Sequence, residues 1–89
     1  MNKGADLADS RNYTGAVKCY DKLLAIDPND ESALLKKGYD LYQLGNYTGA
    51  VKYYDRALTI QPDNSVALNG MGHALVKSLN DGSIGELTY

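Results

Sequence analysis

Acid–base chemistry near neutral pH most often uses imidazole, and the 89-residue chain carries one histidine, His73, and one cysteine, Cys19. As a nucleophilic pair the two would have to lie within hydrogen-bond reach of each other. Cys19 has no second cysteine for an internal disulfide and no companion at metal-ligand spacing. Asp27-Pro28-Asn29-Asp30-Glu31 is rich in oxygen ligands, but it lacks the alternating acids, central glycine and distal glutamate of a calcium loop and reads as a turn with a helix cap. Gly70-Met71-Gly72 follows no strand and opens no phosphate loop. Asn12-Tyr13-Thr14 and Asn46-Tyr47-Thr48 satisfy the glycosylation rule, but no export signal accompanies them. No catalytic residue, metal site or cofactor is expected.

Composition narrows the partners. Nine basic and eleven acidic side chains leave a net charge of −2 with no like-charged block, which argues against nucleic acid and anionic membranes. A chain that is 44% hydrophobic and 22% charged has ordinary globular composition. No run approaches the ~18 apolar residues of a membrane span, and the first residues lack the apolar segment of a signal peptide. With a single cysteine, this predicts a reducing, cytoplasmic setting. All eight aromatic residues are tyrosines, whose rings are apolar but whose hydroxyls need water or a partner, so half-buried grooves are favoured over a thick dry core.

The elements that must position these residues emerge from self-comparison. At an offset of 34, residues 4–30 match residues 38–64 with 15 identities in 27 positions and no gap. Within the second copy Tyr47, Ala50, Val51, Tyr54, Ala57 and Leu58 step by three and four along one helical face, and Tyr13, Ala16, Val17, Tyr20, Leu23 and Leu24 do the same in the first. Leu34, Gly38, Leu41 and Tyr42 form an earlier helical stripe, closed by Leu44-Gly45-Asn46, where the glycine can adopt the left-handed conformation. Asp30 and Asn64 follow Pro28 and Pro62 and can cap the next helices. The periodicity predicts helices over residues 1–10, 13–27, 31–44, 47–61 and 65–79, with residues 80–89 as a loose tail. On this pattern Cys19 falls on the second helix of the first unit and His73 on the first helix of the third.

The 34-residue period and its small and aromatic positions resemble the tetratricopeptide repeat, a helix-turn-helix unit that stacks into a right-handed superhelix. With Glu31 as the first position of the middle unit, the family's pattern is met by Leu34, Gly38, Leu41, Ala50, Tyr54, Ala57 and Pro62. The first unit supplies Gly4, Leu7, Ala16, Tyr20, Leu23 and Pro28, and the third supplies Leu68, Met71, Gly72 and Leu75 on its first helix. The resemblance implies an all-α domain over residues 1–79 of about two and a half repeats, divided as 1–30, 31–64 and a partial 65–79. The small residues Gly38 and Ala50 would let paired helices approach closely, and Tyr54 and Ala57 would fill the gap toward the next unit. Lys37 departs from the apolar residue usual there, with its stem expected on apolar surface and its ammonium in water.

In this family the first helices line a concave groove, and the resemblance places Ser32, Leu35, Lys36, Tyr39, Tyr42 and Gln43 there, with Val66, Asn69, His73, Val76 and Lys77 from the third unit. Of these, Leu35, Lys36, Tyr39, Tyr42, Asn69 and His73 would bind a peptide or protein segment. Tyr39 and Tyr42 could instead pack on adjacent helices with only their hydroxyls in the groove. Some members grip a C-terminal carboxylate with basic and amide side chains; the corresponding residues are Met1, Ala5, Lys36, Val66 and Gly70, of which only Lys36 is basic, so that clamp is not expected. The implied function is a non-catalytic scaffold with a protein or peptide partner. The alternative is self-association into a dimer or end-to-end stack through apolar surface on the partial third unit.

Overall fold

The computed structural model describes residues 2–81, and the side chains of residues 12–80. Four helices follow in order: α1 (Asn2–Ile26), α2 (Glu31–Gln43), α3 (Tyr47–Ile60) and α4 (Ser65–Asp81). Connections of three or four residues make successive helices antiparallel neighbours. α2 packs between α1 and α3, α3 packs between α2 and α4, and α2 also meets α4. The result is an all-α helical repeat arrangement.

Side chains define where the helices start and stop. The Asp30 carboxylate accepts from the Ala33 N–H at 3.1 Å, the Asn46 amide oxygen from Gly49 N–H at 2.9 Å and the Asn64 amide oxygen from Ala67 N–H at 3.1 Å. Each satisfies an amide that the first helical turn leaves free. At the end of α2, Gly45 takes φ +89°. Its N–H donates to the Tyr42 carbonyl at 3.0 Å, and the Asn46 N–H reaches back to Leu41 at 2.8 Å. This double bond pattern closes the helix through a left-handed residue. Asn46 thus ends one helix and caps the next.

The first unit departs from the predicted hairpin. α1 runs unbroken through residues 11 and 12, where the repeat places a turn. Arg11 stands where the middle unit has Gly45, and Ser10 where it has Leu44. A positive φ is costly for arginine because its Cβ crowds the following carbonyl, so the backbone keeps its helical bonds instead. At the other end, α4 continues through Asp81 and takes in the first two residues of the expected tail. Residues 82–89 of that tail lie outside the described residues.

Small side chains set the packing distance. Among the described residues, five of the eight buried apolar ones are alanines, namely Ala33, Ala50, Ala57, Ala67 and Ala74. The largest of the eight is Tyr54, only 3% exposed. Its ring fits because two helices present glycine to it: a Cβ on Gly38 would lie 3.1 Å from the ring, and one on Gly70 would lie 2.4 Å away. Gly72, the repeat equivalent of Gly38, has nothing within 4 Å of its Cβ position. Ala16 and Tyr20 are half-buried, and Pro28 and Pro62 stand in the turns. Gly4 lies on α1 outside the described side chains.

Consecutive turns are also tied together. Arg56 donates to the Pro28 carbonyl at 3.4 Å, and Asn64 donates to the Glu31 carboxylate at 2.5 Å. Lys37 does not send its ammonium into water. It donates to the Asp21 carboxylate and, at 2.9 Å, to the Tyr53 hydroxyl, with the charge 4.1 Å above the Tyr53 ring. Burial opposes the charge, but Asp21 and Tyr53 together hold the Lys37 ammonium above its ordinary pKa. The position is filled by a bridge between α1, α2 and α3 in place of an apolar side chain.

Candidate protein-binding face

The helical repeat of α2 puts Ser32, Leu35, Lys36 and Tyr39 on one face, one turn apart. They line a recess of about 410 Å³, joined by Asp40 from the same helix, Tyr20 from α1, Tyr54 from α3 and Val66 from α4. A second recess of about 260 Å³ lies between Tyr39, Tyr42, Tyr54, Gly70 and His73. Tyr39 and Tyr54 border both, so the two recesses are neighbours with shared tyrosine walls. Both volumes together suit a few side chains of an extended segment.

Five of the six residues expected in the groove therefore come together: Leu35, Lys36 and Tyr39 in the first recess, and Tyr39, Tyr42 and His73 in the second. Asn69 does not join them. It borders a more open depression of about 460 Å³ with Ser65, Leu68 and Val66, the last of which also lines the first recess. Cys19 is exposed and lines none of these hollows.

Ring contacts fix the tyrosines. Tyr39 meets Tyr13 edge-on at 6.3 Å between centroids, and Tyr42 meets Tyr47 at 5.4 Å. Such pairs hold the rings by offset quadrupoles while leaving other faces free, and Tyr39 remains 50% exposed. Packing against Tyr13 thus leaves half of Tyr39 accessible. Burial, with the nearby Tyr39, Asp40 and Tyr42, pushes the Tyr54 phenol up to about 12, so it stays a neutral donor under all ordinary conditions.

Three lining residues escaped sequence reasoning in this role. Tyr20 and Tyr54 carry the family's packing positions, and their hydroxyl-bearing edges were not expected in the hollow. Asp40 is 7% exposed, and burial raises its carboxyl above the ordinary pKa. The repeat gave a divided signal there, since the same register holds Asp6 one unit earlier and the fully buried Ala74 one unit later.

No group of three or more metal-ligating side chains occurs among the described residues, and none of their helices is long and apolar enough to cross a membrane. Among curated proteins, none matches the chain. The family model described as tetratricopeptide repeat matches residues 1–65. With the 34-residue period, the capped antiparallel helices and the tyrosine set between two glycines, that match makes the chain a member of the tetratricopeptide repeat family.

Proposed function

We propose that the hollow shared by α2 and α4 holds an extended segment of another protein. Tetratricopeptide repeats are protein-interaction modules, typically non-catalytic. The observation that carries the reading is the adjacency of two tyrosine-walled recesses lined from α2, α3 and α4, with Tyr39 bordering both and half exposed. Leu35 and Val66 offer apolar contact, while Lys36 and His73 offer hydrogen bonds to a peptide backbone. Asn69, beside Val66, would extend the contact along α4. A cytoplasmic setting suits the exposed Cys19. A peptide array should give ligands that Tyr39→Ala loses by about tenfold or more, the size of a buried aromatic anchor. Retention of every ligand by that variant would count against this face.

A second reading rests on α4. Leu68, Leu75 and Leu79 stand on one stripe of that helix, 51%, 40% and 47% exposed. Their repeat equivalents in α2 include Leu34, which α3 covers to 1% exposure. An uncovered stripe of this kind suits a second copy of the chain, giving a dimer or stack. Light scattering over a concentration series, with Leu75→Glu as control, tests it. A monomer at every concentration would remove the reading and leave the groove intact.

A further inference from the structure

The first recess holds a carboxylate that no group among the described residues pairs with. Asp40 is the buried carboxylate among the described residues, and no ion pair or hydrogen bond reaches it there. The rings of Tyr20, Tyr39 and Tyr54 border the same space. The carboxylate oxygens still meet water in the recess, and a bound segment that displaced that water would have to supply a cation or donors in its place, because a desolvated anion without a partner is costly. Partial burial already raises the Asp40 carboxyl above its ordinary pKa. Aromatic faces nearby favour the same kind of visitor, because their negative quadrupoles attract cations.

Building on the groove reading above, we propose that this recess takes an arginine side chain of the bound segment, with its guanidinium on Asp40 and its plane against the neighbouring tyrosines. Arginine suits the site better than lysine on three counts. Its fork can meet both carboxylate oxygens, its flat cation stacks on aromatic rings, and it gives up water more readily than an ammonium. The recess volume of about 410 Å³ leaves room for the stem and part of a flanking residue. Lys36 lies one helical turn before Asp40 and lines the same recess. Its ammonium forms no ion pair with Asp40; as a like charge it opposes the arriving guanidinium, and it can donate to a carbonyl or carboxylate next to the arginine.

The test uses the 89-residue protein, labelled with nitrogen-15, and two small probes: N-acetyl-arginine-N-methylamide and its citrulline counterpart, which keeps the shape and removes the charge. The arginine probe should shift the amides of Tyr39, Asp40 and their neighbours on α2, and the citrulline probe should not. Asp40→Asn should abolish the arginine-dependent shifts, and Lys36→Ala should strengthen them. In array peptides, citrulline in place of arginine should weaken binding by about tenfold or more, as loss of a charge-assisted hydrogen bond would. Equal shifts from both probes, or none from either, would overturn the arginine site even if Asp40→Asn folded poorly. Array peptides that need Tyr39 but tolerate citrulline would retain the groove and overturn this inference alone.

Discussion

Residues 12–28 and 46–62 share most of their sequence, yet one copy ends a long helix and the other begins a new one. The decision is made outside the copies. Gly45 stands before the second and turns the chain, whereas Arg11 stands before the first and lets α1 continue. A further difference lies across the interface. Tyr54 meets glycine on both sides, at Gly38 and Gly70, and is nearly sealed. Its counterpart Tyr20 has Lys36 at the register that Gly70 occupies for Tyr54, and it stays half-buried on the wall of the first recess. The same residue type is nearly sealed in one unit and half open in the other, although both border the recess. Neighbours at a distance of one repeat, more than local sequence, assign the role.

The largest effect should separate the two tyrosines. Tyr54→Ala is expected to cost about 3–5 kcal/mol, the range for emptying a sealed aromatic site, and Tyr20→Ala clearly less because water already reaches its ring. Urea unfolding monitored by circular dichroism measures both, and equal losses would erase the distinction.

Alkaline pH probes the same contrast without mutation. An unfolded tyrosine releases its proton near pH 10, while folded Tyr54 holds it to about 12. The folded state therefore loses nothing through this group below pH 10 and loses about 2–3 kcal/mol as pH rises to 12. Tyr54→Phe should flatten that part of the stability profile.

Glycines give the next sharpest comparison. Gly70→Ala should destabilise by about 1–3 kcal/mol, because the new methyl would press into the Tyr54 ring. Gly72→Ala, two residues on and facing open space, should stabilise by roughly 0.5–1 kcal/mol through helix propensity. Melting temperatures that move in the same direction would contradict the packing described for α3 and α4.

The smallest effect addresses the turn itself. Gly45→Ala should cost about 1 kcal/mol by forcing a Cβ into the left-handed region. Arg11→Gly should weaken α1 at residues 9–13 and give the first unit access to the hairpin of the second. Carbon chemical shifts across those residues report it, and unchanged helical values would show that Gly45 alone does not set the turn.

Much of this architecture could be read from residue order. The 34-residue offset identified the repeat, and Asp30, Asn64 and Gly45 marked their boundaries because capping and positive φ depend on local chemistry. The missing turn before Asn12 was not legible by symmetry, since the identity of residues 12–18 with 46–52 masked the exchange of glycine for arginine just before them. Lys37 was misjudged for a related reason: its partner Asp21 comes from a different helix, and periodicity says nothing of which charge lies opposite. In the hollow, helical spacing selected Leu35, Lys36, Tyr39, Tyr42 and His73, which face one way. It could not select Asp40, whose place in the recess depends on how α1 and α2 pack, nor separate Asn69 from the others.

The most direct test maps a bound peptide on the folded protein. Using the strongest ligand from the array and nitrogen-15 amide shifts, the largest perturbations should fall on Leu35, Tyr39, Tyr42 and His73, with the outward stripe of α4 unmoved. Perturbations centred on Leu68, Leu75 and Leu79, with Tyr39 and Tyr42 unchanged, would contradict the assignment of the tyrosine-walled hollow as the binding face.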